Sequence, residues 1–153
     1  GHAAPDEAFM AIDGNPATTA ITNAVRGSNW WRMDFNPFFA GYTVTTVKVI
    51  NRQDCCKDGL NDAKVQLFGS TDEGFLQEKT VGNNIVQQTF TFNVSGVHAV
   101  EIELSSWHLD GDMLLNDLRQ LQLAEVEVRG TPPPNELAKC SVECVERAQC
   151  LTN

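Results

Sequence analysis

The fold is decided by residues 86–94, which read VQQTFTFNV. One face of this segment is apolar and is formed by Val86, Phe90, Phe92 and Val94, whereas the other face carries threonine and asparagine. Successive side chains of a β-strand point to opposite sides, so this alternation predicts a strand with one buried and one solvated face. Such a strand packs its apolar face onto a second sheet, as in an antiparallel sandwich.

The same alternation recurs on both sides of this segment. Four further strand segments have apolar residues at every second position, namely Val47 and Val49, Val65 and Leu67, Val100 with Ile102 and Leu104, and Val126 and Val128. Clusters of Gly, Asn and Asp at residues 58–59, 82–84 and 110–112 are typical of the turns between strands. The pattern predicts an all-β fold, with no helix before residue 112 and a short helix at residues 114–121.

Length and composition predict one β domain followed by a separate tail. The chain has 153 residues, which is enough for a single domain with a full hydrophobic core. Proline cannot donate to a sheet ladder, so the domain is predicted to span residues 1–130 and to precede a Pro-rich linker at residues 131–134. Asn135 is a suitable N-cap for a helix in the tail, residues 135–153.

Charge and cysteine content narrow the class of partner. The formal net charge of −9 provides no basic surface to neutralise phosphates, so we expect neither nucleic acid nor an anionic membrane as a partner. No apolar run is long enough to span a membrane, and no membrane insertion is expected. Five cysteines, two of them adjacent, favour an oxidising compartment and hence a secreted, extracellular protein. The sequence has no metalloprotease motif and no phosphate-binding loop, and no enzymatic activity is expected.

The most distinctive chemistry lies at residues 51–56, NRQDCC. If Cys55 and Cys56 are oxidised to each other, they form a stiff, polarisable sulfur surface between Cα atoms only ~3.8 Å apart. Arg52 and Asp54 flank that surface. An apolar plate beside charged groups suits a sugar, whose C–H face meets the plate and whose hydroxyls form charge-assisted hydrogen bonds. The alternative is a structural turn or two unrelated buried thiols.

Three further segments carry candidate functional residues. Residues 11–15, AIDGN, place a carboxylate and an amide in one tight loop that either binds a hard cation or is a plain turn. Residues 30–35, WWRMDF, lead into a strand; paired tryptophans can be sugar platforms, but here both are predicted to pack in the core. Glu125 and Glu127 lie on the non-core face of the last strand, where one of them closes a metal site or both are solvated.

Taken in order, these four segments resemble the F-type lectin (fucolectin) family. The similarity covers residues 8–130, and its most specific part combines Trp-Trp-Arg-x-Asp at residues 30–34 with Arg-x-Asp-Cys-Cys at residues 52–56. The resemblance implies an eight-stranded antiparallel jelly-roll β-sandwich related to discoidin domains. It also implies a domain that binds fucosylated glycans in a shallow pocket at one end, near a structural calcium ion.

Carried onto this sequence, the resemblance implies two sets of site residues. The sugar-contacting set is Arg52, Asp54, Cys55 and Cys56, with Asp54 orienting the arginine. The ligands of a structural Ca²⁺ are the Met10 carbonyl, Asp13, Asn15, a hydroxyl near Thr19, the Ala124 carbonyl and Glu125. The segment between the first loop and the tryptophans is short, which leaves Thr18 and Thr19 hard to separate.

Two positions depart from the family pattern. Gly59 stands where the family has a second basic residue, and Thr22 stands where it has a histidine. Candidate substitutes are Lys57, Arg26 and His108. A site without two charge-assisted hydrogen bonds, each worth ~1.5–3 kcal/mol, binds a single sugar weakly.

Weak single sites imply multivalent binding. We expect binding to glycans, including fucosylated glycoproteins, within an oligomer or a larger multidomain parent. The alternative is a discoidin-like adhesion or structural module that binds a protein partner and has lost sugar binding. The tail carries a second resemblance, because Cys140, Cys144 and Cys150 after a proline linker are similar to the opening of a PAN/apple-type module.

Overall fold

The structure is a computed structural model that describes residues 8–23, 28–35, 40–71, 74–105 and 120–133. These residues form nine β-strands and a 3₁₀ turn at Lys57–Leu60. In chain order the strands are β1 (Ala20–Ile21), β2 (Ser28–Asp34), β3 (Tyr42–Ile50), β4 (Lys64–Phe68), β5 (Phe75–Thr80), β6 (Gln87–Val97), β7 (Ala99–Ser105), β8 (Gln122–Leu123) and β9 (Glu125–Thr131). Within these ranges no helix is long and apolar enough to cross a membrane.

Two antiparallel sheets form the body of the fold. One has four strands in the order β2-β7-β4-β5, and the other has three strands in the order β6-β3-β9. A third, minimal sheet pairs β1 with β8. The predicted all-β antiparallel sandwich is confirmed. The described residues contain nine strands instead of eight, since β1 and β8 have two residues each and are too short to produce an alternating pattern.

The hydrophobic core lies between the two larger sheets. The four-stranded sheet contributes Trp31, Val65, Leu67, Val100, Ile102 and Leu104. The three-stranded sheet contributes Val44, Val47, Val49, Phe90, Phe92, Val97 and Val126. The apolar positions of the predicted alternation therefore point inward in both sheets. The edge strand β5 was not predicted, and its residues are exposed or half-buried, so it lacks a clear apolar face.

Two side chains depart from their predicted faces. Val86 is 53% exposed because β6 begins one residue later. Trp31 is buried, and its Nε1 donates to the Ala8 carbonyl oxygen at 2.9 Å, but Trp30 is 40% exposed. Neighbours in a strand point to opposite faces, so only one tryptophan of the pair reaches the core. Glu125 precedes the core residue Val126 and so lies on the opposite face of β9, where it is buried.

The structure can be compared with the predicted end of the β domain and with part of the first predicted helix. Strand β9 continues through Thr131, which pairs with Thr43, so pairing extends one residue past the predicted boundary. Threonine keeps the backbone N–H that proline lacks and is well suited to a strand. The helix predicted at residues 114–121 lies outside the described residues up to residue 119, and Leu121 is not helical. The tail at residues 135–153, with its three cysteines, also lies outside the described residues.

The two ends of the sandwich present different loops. At one end β3 finishes at Ile50, opposite Glu125 at the start of β9, and the chain continues directly into residues 51–56. At the other end β4 finishes at Phe68, level with Ala99 of β7 and Asp34 of β2. The predicted sugar and cation residues therefore share the first end.

Candidate functional site

A buried asparagine holds the loop that follows β3. The amide nitrogen of Asn51 donates to the carbonyl oxygens of Lys57 at 2.7 Å and of Ile85 at 2.9 Å. Its side-chain oxygen accepts from the backbone N–H of Arg52 at 2.9 Å. A buried amide is stable when its hydrogen bonds are made, and Asn51 is fully buried. The position of Arg52 is therefore set from inside the sandwich.

Arg52 and Asp54 form a forked ion pair at the surface of this loop. Nε of Arg52 donates to Oδ1 of Asp54 at 2.5 Å, and Nη2 donates to Oδ2 at 3.0 Å. The hydrogen bond from Arg52 is the main cause that lowers the pKa of Asp54, and the same bond raises the pKa of Arg52. Side-chain exposure is 24% for the arginine and 71% for the aspartate. The carboxylate is thus ionised and open to hydroxyl donors from solvent.

The adjacent cysteines form the outer edge of the same loop. Cys55 and Cys56 are joined by a disulfide, with their Cα atoms 3.8 Å apart. Cys56 has a φ of 56°, in the left-handed region, and the chain then enters the 3₁₀ turn Lys57–Leu60. Cys56 is exposed and Cys55 is half-buried. The disulfide is therefore accessible beside the Arg52–Asp54 pair.

Gln122 is a residue of this site that the sequence analysis missed. Its side chain is only 7% exposed, and its Oε1 lies 3.5 Å from Nη1 of Arg52, at the limit of a hydrogen bond. It also packs on buried Gly59, where an added Cβ would lie 3.2 to 3.4 Å from its side-chain carbons. Gln122 thus fills the space above Gly59 and lies next to the guanidinium of Arg52. The sequence signal was one polar residue between Leu121 and Leu123.

The remaining candidates for sugar contact lie in other environments. Thr22 is buried, and its hydroxyl accepts from the Leu121 N–H at 3.0 Å and donates to Oδ1 of Asn29 at 3.2 Å. Its hydroxyl is therefore committed to the interior. Lys57 is exposed at the start of the 3₁₀ turn. Two candidates lie outside the described residues, Arg26 and His108.

The loop at residues 10–18 gathers oxygen atoms around one hydroxyl. Oγ1 of Thr18 lies 2.7 Å from Oδ2 of Asp13, 2.7 Å from the Asn15 carbonyl oxygen and 3.4 Å from the Met10 carbonyl oxygen. Thr18 therefore contributes its hydroxyl to this cluster. The reason is a tight turn in which Oδ1 of Asp13 accepts from the Asn15 N–H at 2.8 Å, which sets where the chain returns over the loop.

Glu125 approaches the same loop from the start of β9. It is 6% exposed, and its Oε2 has no hydrogen-bond partner among the described residues. Burial is the main cause that raises the pKa of Glu125, and the negative charge of Asp13 raises it further. Backbone N–H groups of Gly14 and Asn15 act in the opposite direction. A buried carboxylate with an unpartnered oxygen therefore lies within the electrostatic influence of a second carboxylate.

The donor set around this loop suits a hard cation. Its atoms are carboxylate, carbonyl and hydroxyl oxygens, which are the ligands that Ca²⁺ prefers. A cation would also compensate the buried carboxylate oxygen of Glu125 and its repulsion from Asp13. In the part of the chain that the structure describes, no three His, Cys, Asp or Glu side chains gather as a metal site. The predicted ligands of the cation therefore include neutral carbonyl and hydroxyl oxygens beside the carboxylates of Asp13 and Glu125. Ala124, whose carbonyl oxygen was predicted as a ligand, is fully buried next to Glu125.

A family comparison matches this part of the chain. The F5/F8 type C model described as the NedA-like, galactose-binding domain matches residues 10–104. The chain belongs to this family. The matched residues include the oxygen-rich loop, the tryptophan pair and the vicinal disulfide.

Two curated relatives confirm the predicted F-type lectin resemblance. Fucolectin-4 of Anguilla japonica is 28% identical over 141 residues, which cover 88% of this chain and 73% of that protein. Fucolectin of Anguilla anguilla is 37% identical over 100 residues, which cover 60% of this chain and 61% of that protein. The second alignment thus reaches less than two thirds of the relative's length.

Solved structures share the fold. The lectin domain of Lectinolysin complexed with Lewis B antigen superposes with a TM-score of 0.64 at 23% identity, over 80% of this chain and 82% of that chain. A Streptococcus pneumoniae fucose binding module superposes with a TM-score of 0.64 at 24% identity, over 83% of this chain and 85% of that chain. The predicted F-type lectin and discoidin-like jelly roll is therefore confirmed as the fold of this family member.

Proposed function

We propose that this chain is a secreted carbohydrate-binding domain of the fucolectin type, which recognises glycans with Arg52, Asp54 and the Cys55–Cys56 disulfide. The observation that carries the proposal is a forked ion pair, with bonds of 2.5 and 3.0 Å, held beside an accessible disulfide. Named relatives support it, since the curated ones are fucolectins and one solved neighbour is a fucose binding module.

The chemistry of this surface fits a sugar ring. Arg52 offers N–H donors in a fixed orientation, because two of its nitrogens are held by Asp54. Asp54 accepts hydrogen bonds from sugar hydroxyls, and hydrogen bonds to ionised groups are stronger than neutral ones. The sulfur atoms offer a polarisable surface to the C–H face of the ring.

An altered fucose site follows from Gly59 and Thr22. The first has no side chain, and the hydroxyl of the second is engaged inside the protein. The neutral amide of Gln122 packs on Gly59 and lies 3.5 Å from Nη1 of Arg52, so no second charge stands at that position. We therefore propose weak binding of a single sugar and useful affinity only through several copies, in an oligomer or a larger parent, on fucosylated glycoproteins.

A structural Ca²⁺ is part of this proposal. Asp13, Thr18 and Glu125 would hold it, together with the carbonyl oxygens of Met10 and Asn15. The ion would supply positive charge to two carboxylates and would take no part in bond breaking. These residues would then tie the first loop to the start of β9, at the end of the sandwich that carries Arg52.

A glycan array tests the proposed function directly. The full chain is displayed in several copies on a multivalent carrier, because single sites are expected to be weak. We expect binding to a restricted set of glycans with terminal fucose or galactose, and competition by the free sugar. Absence of binding across a broad array would reject the proposal.

A discoidin-like adhesion module is the second candidate function. The observation that favours it is the replacement of charged side chains near Arg52 by Gly59 and by a buried threonine at position 22. In that case a protein partner docks on the same end of the sandwich. Capture of a defined protein partner that free sugars do not compete off, with a silent array, would favour this function over the first.

Gly59 and Gln122 are expected to be energetically coupled. Gly59→Ala should destabilise the fold by about 1 kcal/mol, because its Cβ meets the packed side chain of Gln122 at 3.2 Å. In a Gln122→Gly background, which also removes the Cβ of residue 122, the same change should cost less, a coupling measurable as a double-mutant cycle in urea unfolding. Gly82→Ala is the matched control, since its Cβ would meet its neighbours at an ordinary 3.5 Å. Additive effects of the two changes would show that Gln122 does not occupy the space above Gly59.

A further inference from the structure

A second cleft lies at the opposite end of the sandwich from Arg52. It has a volume of about 570 Å³, and its lining includes Arg32, Asp34, Phe35, Phe68, Ser70 and His98. These residues come from the end of β2, the end of β4, the loop after β4 and the turn between β6 and β7. Clefts of ~300–1,000 Å³ are typical of small-molecule sites.

The backbone around this cleft is tied together by hydrogen bonds. The Phe35 N–H donates to the His98 carbonyl oxygen at 2.8 Å, and the His98 N–H donates to the Phe68 carbonyl oxygen at 2.7 Å. In the loop after β4, the Gly69 N–H donates to the Gly74 carbonyl oxygen at 2.7 Å, and the Gly74 N–H donates to the Ser70 carbonyl oxygen at 2.9 Å. These hydrogen bonds link the segments that line the cleft.

Arg32 is the central charged group of the cleft. Its Nε donates to Oδ1 of Asp34 at 2.9 Å, and its Nη1 donates to Oε2 of Glu101 at 3.3 Å. The guanidinium also lies over the ring of Phe68, 4.9 Å from the centroid. Contacts of this kind with an aromatic face are attractive. The arginine is thus fixed by two carboxylates and a ring.

The cleft and the Arg52 site combine the same two features, an arginine–aspartate ion pair and a polarisable apolar surface beside it. Both sites use an Arg-x-Asp segment in which the aspartate two residues on accepts from Nε of the arginine, at 2.9 Å here and at 2.5 Å for Arg52. Both place that pair beside polarisable apolar surface, which is the disulfide in one case and the rings of Phe35 and Phe68 in the other. The same class of ligand therefore fits both.

We propose that the cleft around Arg32, Asp34, Phe35, Phe68 and His98 is a second binding site for a neutral saccharide. The half-buried rings of Phe35 and Phe68 provide apolar surface for the C–H face of a pyranose. Asp34 accepts from hydroxyls, and its side chain is 68% exposed. Nδ1 of His98 lies 3.1 Å from the Gly96 carbonyl oxygen, and in the tautomer that donates there Nε2 is an acceptor for a hydroxyl.

The charges of the cleft exclude other ligand classes. Asp34 and Glu101 outnumber Arg32, and the whole chain carries a net charge of −9, so phosphorylated or carboxylated ligands are repelled. A wholly apolar ligand would leave the exposed carboxylate of Asp34 unpaired. A polyol with one apolar face meets both conditions. A chain with sites at both ends of the sandwich could bridge two glycans without an oligomer.

An NMR titration tests this inference independently of the first site. The ¹⁵N-labelled full chain carrying Arg52→Ala is titrated with methyl α-L-fucoside and, separately, with methyl β-D-galactoside. We expect saturable millimolar binding of at least one saccharide, with shifts of the amide signals of Gly69, Gly74 and His98. Thr71→Trp, an exposed position in the cleft lining, should weaken this binding at least about tenfold by filling the cleft. Arg32→Gln should do the same.

The matched control is Lys64→Gln in the same Arg52→Ala background. Lys64 belongs to the same sheet and is paired with Glu78 at 3.0 Å, but it does not line the cleft, so its loss should leave the titration unchanged. If Arg32→Gln fails to fold, Thr71→Trp still decides the result, because it keeps the ion pairs of Arg32.

Three results would overturn the second site. The first is that neither saccharide shifts the amide signals of the cleft residues, and the second is that the shifts persist in both Thr71→Trp and Arg32→Gln. The third is that methylammonium binds more tightly than either saccharide. A positive titration here, with an array signal that Arg52→Ala leaves unchanged, would remove the first site alone. A positive array that depends on Arg52, with no shifts here, would remove the second alone.

Discussion

Arg52→Ala is expected to weaken the affinity for glycans bound at the Arg52 end on the order of a hundredfold in solution and to abolish their signal on an array. The change removes the cationic donors that face the ligand and also frees Asp54, whose carboxylate is held by two hydrogen bonds from the arginine. Loss of both polar contacts at one time is the reason for the large effect. Isothermal titration calorimetry with a glycan found on the array measures it.

Two further variants separate the roles of charge and geometry. Arg52→Lys keeps the positive charge but cannot form the fork to Asp54, so binding should be intermediate. Arg129→Ala removes a cation that is 77% exposed on β9, and binding should not change. All three proteins should melt within a few degrees of wild type, because exposed ion pairs contribute little to stability. Full binding by Arg52→Ala would mean that glycans contact another surface.

The pair also sets the pH range of binding. The hydrogen bond from Arg52 lowers the pKa of Asp54 below its ordinary value of 3.8. The ionised pair is therefore present at neutral pH and is lost only when the pH falls through that lowered pKa. In the presence of excess Ca²⁺, binding should persist on mild acidification.

Strand faces could be predicted from the sequence because alternation reports burial directly. Val47, Val65 and Ile102 are fully buried where the pattern places them. The prediction was wrong for Val86 and Trp30, since a period of two does not say where a strand begins or which of two adjacent aromatic residues faces inward.

The site could be predicted only where its residues are close in sequence. The positions of Arg52 and Asp54 follow from one short segment, whereas Gln122 reaches Arg52 from 70 residues further along the chain. Such a contact depends on how β8 packs, and one polar residue in an apolar run does not specify it. Thr18 and Thr19 are adjacent, so their roles depend on the turn at Asp13 and not on residue type.

Glu125→Gln is expected to make the stability of the fold independent of calcium. In the wild type, Ca²⁺ at a hundredfold excess over its dissociation constant should stabilise the native state by about 2.7 kcal/mol, which chelation removes. Glutamine occupies the same volume without the negative charge that this site would offer to the cation. Melting curves with Ca²⁺ and with EDTA should differ by several degrees for the wild type and should coincide for the variant.

The effect of Glu125→Gln without metal measures what it costs the fold to bury the ionised carboxylate of Glu125. Burial and the charge of Asp13 raise the pKa of Glu125, so the folded protein binds a proton more tightly there than the unfolded chain does. This contribution to the free energy of unfolding is therefore greatest below the ordinary pKa of 4.5 and is lost as the pH rises through the folded pKa. At neutral pH in EDTA, Glu125→Gln should accordingly melt higher than the wild type.

Glu127 provides the matched control for Glu125, because it lies on the same strand and is paired with Lys48 at 3.2 Å. Glu127→Gln should keep the full calcium response, since no atom of the oxygen cluster comes from it. Wild-type melting that ignores EDTA, combined with a Glu125→Gln variant less stable than wild type at neutral pH, would contradict a cation site. Glu125 would then stabilise the first loop only by accepting hydrogen bonds from the N–H groups of Gly14 and Asn15. Its unpartnered Oε2 would lower the free energy of unfolding without serving a cation.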